Sequence, residues 1–166
     1  SLTIRGITKA IESNAILELR GIVDLNGTSQ PTLYYWEAFD VEYQDYALVE
    51  INVSDDSGQN WQGRDEIDRH RNTTSISWNR RQIDLRPYIP DASHPNRVIR
   101  IRFRLYAVYN SQVGEGWWID DVSIVDRDGM EPIFTLPFFE NADLENDFWV
   151  NDGSWGRVPM FRDVGS

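Results

Sequence analysis

The sequence predicts an all-β protein, an antiparallel β-sandwich of the jelly-roll type. Several segments alternate apolar and polar residues with a period of two, which is typical of half-buried strands. Aromatic residues make up 13% of the 166 residues, and such side chains favour strands. Turn-forming residues separate the alternating segments at short intervals, as in proteins built from many antiparallel strands. The chain length suits one domain with a full core.

The first three strand segments occupy the amino-terminal half of the chain. Residues 14–25 hold one or two strands, and residues 32–40 read as another, with Leu33, Tyr35 and Glu37 on one side. In residues 46–54 apolar residues occupy every second position, so the polar residues between them are expected outside. The apolar set is Ala47, Val49, Ile51 and Val53, and the outer set includes Glu50 and Asn52.

The clearest alternation lies at residues 98–108. Arg100, Arg102 and Arg104 take one face there and apolar side chains take the other, which predicts a strand with its arginines in solvent. Residues 116–126 form a further strand segment. From these segments we expect a core that contains Ile51, Val53, Ile101, Phe103, Leu105 and Ile119.

Turn residues fall between these segments. Asn26-Gly27 interrupts the chain, and three prolines predict a loop over residues 86–96. Residues 54–61, SDDSGQNW, match the Asp-box pattern Ser-x-Asp-x-Gly-x-x-Trp. We expect Asp56 to accept bonds from turn amides, Gly58 to take a positive φ and Trp61 to fold back under the turn.

One hydrophilic run, GRDEIDRHRNTT at residues 63–74, mixes both charges and lacks apolar anchors. A solvated loop is one interpretation, and a recognition loop for a charged partner is the other. His70 and His94 are expected in polar loops. Neither stands near a serine or cysteine nucleophile motif, and no phosphate-binding glycine loop occurs.

The charge and composition exclude several classes of protein. A net charge of −11 argues against a nucleic-acid binder, which needs a basic face. The absence of cysteine excludes disulfides, thiolate zinc sites and cysteine catalysis. No apolar run is long enough to predict a membrane span. Lys9 is the only lysine, a bias that fits either a robust extracellular surface or base composition.

The acidic residues suggest a structural Ca²⁺ site, because Ca²⁺ prefers several carboxylate and carbonyl oxygens. The candidate ligands stand in three places along the chain: Asp40, Glu42 and Asp45; Asp120 and Asp121; and Glu140. The alternative is a set of solvated carboxylates at strand ends. Paired carboxylates also occur in glycosidases, but no motif marks such a pair. Exposed Trp and Tyr could stack on sugars, although on strands they more often belong to the core.

Three segments resemble a known family. Residues 19–61, from LRGIVDL to SGQNW, residues 77–89, SWNRRQIDLRPYI, and residues 98–124, ending in GWWIDDVSI, are similar to a MAM-like jelly-roll module of bacterial secreted proteins. Such modules follow the catalytic domain in immune-inhibitor-A-type metallopeptidases and recur in cell-surface proteins. The resemblance covers residues 14–126 and implies a noncatalytic sandwich that commonly holds Ca²⁺ between a first-strand Glu and a last-strand Asp. The corresponding positions are Glu140 and Asp121, with Asp120 beside it.

The order of the segments departs from that family. PFFENADLENDFWVNDGSWGRVPMF, at residues 137–161, resembles the opening of such a module, yet it follows the rest. We therefore divide the chain into a module at 1–126 without its opening strands, a linker at 127–132, and a segment at 133–166 that opens the next module or is donated to it. A boundary within a multidomain protein and an intramolecular circular permutation remain alternatives.

Two functional hypotheses follow. The first is a noncatalytic extracellular or cell-surface unit of a head-to-tail filament or tandem array, in which the C-terminal strands complete a neighbouring copy. The second is a carbohydrate- or protein-binding accessory domain of a secreted enzyme, with a cell-surface glycan as a candidate partner. The zinc motif of the peptidases has no counterpart here, so no enzymatic activity is expected.

Overall fold

A computed structural model describes residues 2–4, 13–19, 21–107, 116–128, 131–135, 149–151 and 155–157. These residues form nine strands and one 3₁₀ turn at Arg86–Tyr88. All pairings between the strands are antiparallel. The strands are β1 (Leu2–Ile4), β2 (Ser13–Leu19), β3 (Pro31–Ser54), β4 (Arg64–Asp84), β5 (Val98–Ala107), β6 (Gly116–Asp126), β7 (Glu131–Thr135), β8 (Trp149–Asn151) and β9 (Trp155–Arg157). The predicted all-β, antiparallel class is confirmed.

The central element is β3, a strand of 24 residues. Its partner along one edge is β4, over nearly the whole length. Along the other edge it pairs with β6 through residues 31–40 and with β5 through residues 46–54. The pairing shifts between Val41 and Tyr46, where Gln44 has a φ of 80°. The long hairpin of β3 and β4 therefore has two halves joined by an irregular segment.

Side chains from the two halves meet in one core. The ring of Phe103 on β5 lies 5.3 Å from Tyr35 in the first half of β3, and 5.7 Å from Trp117 on β6. All six predicted core residues are buried: Ile51, Val53, Ile101, Phe103, Leu105 and Ile119. The path of paired strands runs from β8 through β2, β5, β3, β6 and β1 to β9. Because three residues separate β8 from β9, the two ends of this path lie within about 14 Å of each other.

Two predictions about strand boundaries are wrong. Residues 32–40 and 46–54 belong to one strand, so Asp40, Glu42 and Asp45 lie within β3 rather than between two strands. Residues 64–74, expected as a loop, form the first half of β4, and His70 accordingly lies on a strand. The alternation of β4 could not be recognised because its inward positions carry polar side chains, which meet polar groups of β3.

The outward direction of the polar residues on β3 and β5 is confirmed by the register, but their exposure is not. Glu50, Asn52 and Arg102 are each 7% exposed or less. Arg102 Nε donates to Glu50 Oε2 at 2.6 Å. Long neighbouring side chains cover this face, since Arg64 on β4 reaches within 3.9 Å of a carboxylate oxygen of Glu18 on β2.

The Asp-box has the predicted structure. Asp56 Oδ1 accepts the backbone N–H of Asn60 at 2.8 Å, and Gly58 has a φ of 88°. A Cβ atom added to Gly58 would lie 3.4 Å from the Trp61 ring, which shows how closely the indole approaches the turn. The proline-rich segment after β4 is a loop, as expected, and it begins with the 3₁₀ turn. In the described part of the chain, no helix has the length and apolar character needed to cross a membrane.

The described strands of the C-terminal segment pair with strands of the same chain. β7 lies beside β6, β8 beside β2, and β9 beside β1. Glu131–Thr135 forms β7, so the end of the predicted linker at 127–132 belongs to a strand. Completion of a neighbouring copy by these strands is not seen in this single chain and stays a hypothesis.

Candidate functional site

A buried carboxylate lies at the centre of the described core. Glu37, on the inner face of β3, is fully buried. Its Oε2 accepts the indole N–H of Trp117 at 2.9 Å, and its Oε1 lies 2.9 Å from His70 Nε2. Arg81 Nε is 3.2 Å from the same Oε1. Both carboxylate oxygens are therefore engaged, as a buried charge requires.

A second carboxylate continues this network. Asp68 Oδ2 accepts the hydroxyl of Tyr35 at 2.9 Å. It also accepts two bonds from Arg81, at 3.0 Å from Nε and 2.6 Å from Nη2. Arg81 thus joins Glu37 and Asp68 through one guanidinium group. We call the set Tyr35, Glu37, Asp68, His70, Arg81 and Trp117 the inner network.

The bend of the long hairpin brings these residues together. Arg81 pairs with Tyr35 in the first half of the hairpin, whereas His70 pairs with Ala47 in the second half. Directly paired residues share a face of the sheet. The halves fold toward each other at the bend, so the inner faces meet and side chains 33 positions apart form hydrogen bonds.

The charges of the inner network support each other. Burial opposes ionisation of Asp68, but the hydrogen bonds from Arg81 and Tyr35 outweigh it and hold the pKa of Asp68 below its ordinary value. Burial also opposes the charge of Arg81, yet the bond to Asp68 raises its pKa further above the ordinary range. Burial, reinforced by Glu37 and Asp68, raises the pKa of Tyr35 so that its hydroxyl stays a donor.

Aromatic rings fix the position of His70. Its imidazole stacks on Phe39, with ring centroids 4.0 Å apart and planes 17° from parallel. Trp117 approaches the same imidazole edge-on at 6.4 Å. The hydrogen bond to Glu37 requires a proton on Nε2 of His70. The ring is therefore clamped on its face and at one nitrogen, which leaves it little freedom to move toward a ligand.

The only described group of three metal-ligand side chains lies in this network. Ligand atoms of Glu37, Asp68 and His70 all lie within 4.8 Å of one another. Arg81 already bonds both carboxylates and supplies positive charge between them. A metal ion would have to displace that guanidinium. The ligand atoms are thus already bonded by the protein's own side chains. The geometry therefore favours a structural role for this group over metal binding.

The residues predicted to bind Ca²⁺ lie elsewhere. Asp40 Oδ1 accepts the hydroxyl of Thr74 at 2.6 Å, and Asp120 Oδ1 accepts the backbone N–H of Asp121 at 3.0 Å. Asp40 pairs with Gly116, four positions from Asp120 along β6, a separation of about 13 Å in a strand.

The remaining predicted ligands do not complete a described site either. Glu42 is half-buried and Asp45 is 9% exposed, both in the irregular segment of β3. Asp121 is exposed, with a φ of 49° at a register shift of β6. Glu140 lies outside the described residues, so the Ca²⁺ site stays a prediction.

The sequence contained a partial signal for the inner network. Glu37 was expected beside Tyr35 on an apolar face, and a charged residue at such a position indicates a buried partner. Asp68 and His70 stand two positions apart, which is the spacing of one strand face. Arg81 gave no signal, because only the bend of the hairpin brings it near Asp68.

The outer face of the second half carries many arginines. The registers of β2, β5, β3 and β4 place six arginines and three glutamates there, a net charge of about three positive on a chain of −11. We call this surface the arginine face. The nine charged residues are Arg64, Arg69, Arg71, Arg100, Arg102, Arg104, Glu18, Glu50 and Glu66.

The outer face of the first half is aromatic instead. Trp36 and Trp78 are 38% and 40% exposed. The guanidinium of Arg80, which pairs with Trp36, lies 4.4 Å from the ring centroid of Tyr34. Trp118 of β6 is half-buried on the same side. We call this surface the aromatic face.

No protein-family model matches the chain, and no curated protein matches it.

Proposed function

We propose that this chain is a noncatalytic extracellular module that binds its partner through an outer sheet face, on a jelly-roll β-sandwich of the MAM-like kind. The antiparallel strands, the bent central hairpin and the contacts between its two halves support that architecture. The GWWIDDVSI segment that carries the resemblance forms β6, a strand in contact with the core.

The closed state of the inner network is the observation that carries this proposal. A general acid or base must reach the substrate within hydrogen-bond distance. Glu37 is fully buried with both oxygens engaged, and the side chain of His70 is only 11% exposed. The acid–histidine group therefore serves the fold, and the outer faces are left to make contact with a partner.

The pairing of the C-terminal strands favours a self-contained binding module over an array unit. β7, β8 and β9 satisfy edges of the chain's own strands. A head-to-tail array remains the second candidate because β8 and β9 each pair over three residues. The same short pairings could form between two copies, which is the geometry of strand exchange.

The test combines solution mass with ligand binding. Light scattering should give the mass of one chain, and co-sedimentation with insoluble extracellular polysaccharides should retain the protein at micromolar concentration. Glu37→Gln should weaken folding but leave binding intact in the folded fraction. Open-ended polymers would instead support the array, and a hydrolytic turnover abolished by Glu37→Gln would overturn the noncatalytic proposal.

A further inference from the structure

The arginine face contains a pair of buried polar atoms that the described protein atoms leave unsatisfied. Asn52 on β3 and Arg100 on β5 are direct cross-strand partners. Asn52 is 7% exposed, and neither its Oδ1 nor the Nε of Arg100 has a hydrogen-bond partner among the described residues. Leaving such atoms unpaired costs stability, so this cross-strand pair is a polar position that the described residues do not satisfy.

Arg100 also lacks a compensating acid among the described residues. Its guanidinium lies 4.2 Å from the ring centroid of Trp61, which holds it in one orientation. The other arginine of this face without a described ion-pair partner is Arg71. Its guanidinium lies 5.0 Å from the ring centroid of Tyr46. Arg64, Arg69, Arg102 and Arg104, in contrast, all have glutamate partners.

The two uncompensated arginines lie far apart on the face. Arg100 pairs with Asn52 and Arg71 pairs with Tyr46. Six residues of extended strand separate Asn52 from Tyr46, which corresponds to about 20 Å. A single small anion cannot reach both cations, whereas an extended anionic chain can.

We infer that the arginine face binds an acidic polysaccharide, with the guanidinium groups of Arg100 and Arg71 contacting its carboxylates. This inference rests on the proposed binding function and names its face and its ligand class. An Arg fork matches a carboxylate in two parallel hydrogen bonds. A chain of sugar acids carries such carboxylates along its whole length.

The distribution of charge favours a polysaccharide over a nucleic acid. Nucleic-acid binding requires neutralisation of closely spaced phosphates, whereas the net charge of this chain is −11 and only two arginines of the face lack an acidic partner among the described residues.

The experiment measures the affinity of the full chain for polygalacturonate oligomers by calorimetry. Methyl-esterified oligomers serve as the neutral probe and oligo(dT) as the nucleic-acid probe. Arg100→Gln and Arg71→Gln should each weaken polygalacturonate binding roughly tenfold, the size expected for a charge-assisted hydrogen bond. Arg80→Gln is the matched control, because Arg80 also stacks on an aromatic ring but lies on the aromatic face. Arg71 is exposed, so its variant tests the face even if Arg100→Gln fails to fold.

The expected pattern is tight binding of polygalacturonate, weak binding of its methyl ester and no effect of Arg80→Gln. An equal loss in Arg80→Gln, or equal affinity for oligo(dT), would overturn the inference. Absence of polygalacturonate binding would overturn it too. The proposed function would stand if a neutral polysaccharide still bound, and would fail with the inference if no polysaccharide bound at all.

Discussion

The inner network and the arginine face share strands β3 and β4, but their charges are arranged differently. On the inner face, Glu37 and Asp68 share one guanidinium and no carboxylate oxygen faces solvent alone. On the outer face, positive charge exceeds negative charge and Arg100 has no described acid. A closed set of partners stabilises a fold, whereas an excess of one charge on a surface attracts a ligand of opposite charge.

The largest effect is expected from removal of the central carboxylate. Glu37→Ala leaves Trp117, His70 and Arg81 without their shared partner in the core. Breaking such a buried pair costs about 3–5 kcal/mol in the free energy of unfolding, measured by urea denaturation. Glu66→Ala is the control, because Glu66 is exposed. Equal midpoints for the two variants would show that the inner network does not hold the fold.

A smaller loss is expected from the buried pair on the outer face. Arg102→Met leaves Glu50 buried, but Arg104 remains 3.6 Å from its other oxygen. We therefore expect a loss of about 1–3 kcal/mol, below that of a buried carboxylate with no remaining partner. The double variant Glu50→Leu/Arg102→Met should recover most of it, since apolar replacements can substitute for a buried pair. If the double variant does not regain stability, the fold depends on the charged side chains of this pair as strongly as on those of the inner network.

The pH dependence separates the two regions further. The pKa of Asp68 is lower in the folded state than its ordinary value near 3.9. Its contribution to stability is therefore fully present above about pH 4 and is lost as the pH falls through the folded pKa. Asp68→Asn should lower stability at pH 6 and flatten its decline below pH 4. An unchanged slope in acid denaturation curves would contradict the charged pairing with Arg81.

The smallest effect concerns a single hydroxyl. Tyr35→Phe keeps the buried ring against Phe103 and removes only the bond to Asp68. Arg81 still neutralises that carboxylate, so the expected loss is about 1 kcal/mol. Thermal denaturation should show a shift of a few degrees, and a loss as large as that of Glu37→Ala would mean that Tyr35 organises the network rather than completing it.

Local alternation predicted the elements whose inner faces are apolar. β5 and β6 lie within one residue of their expected limits, and Phe103 and Ile119 are buried as expected. β4 was missed because its inner positions, including Asp68 and His70, bind polar groups rather than a hydrophobic core. The periodicity that defines a strand from sequence was therefore absent from a strand of 21 residues.

The inner network could not be assembled from sequence because its contacts depend on the bend in β3 and β4. Glu37 and His70 are 33 positions apart, and Trp117 is 80 positions from Glu37. No local pattern encodes which inner positions meet once the halves fold together. The arginine face was easier to predict from the sequence, since the alternation at residues 98–108 already placed three arginines on one side. Which of these arginines have an acidic partner depends on the register of the neighbouring strands, which the sequence alone did not reveal.

The pairing of β1 with β9 has a mechanical consequence. The strands are antiparallel, with Leu2 opposite Arg157 and Ile4 opposite Trp155. Tension applied through residues 2 and 157 therefore acts on adjacent strand ends and pulls them apart across the ladder. Its hydrogen bonds, which run perpendicular to the strands, open one after another instead of shearing together. β1 and β9 would thus separate at low force, while β3 and its core partners stay folded until the force is higher.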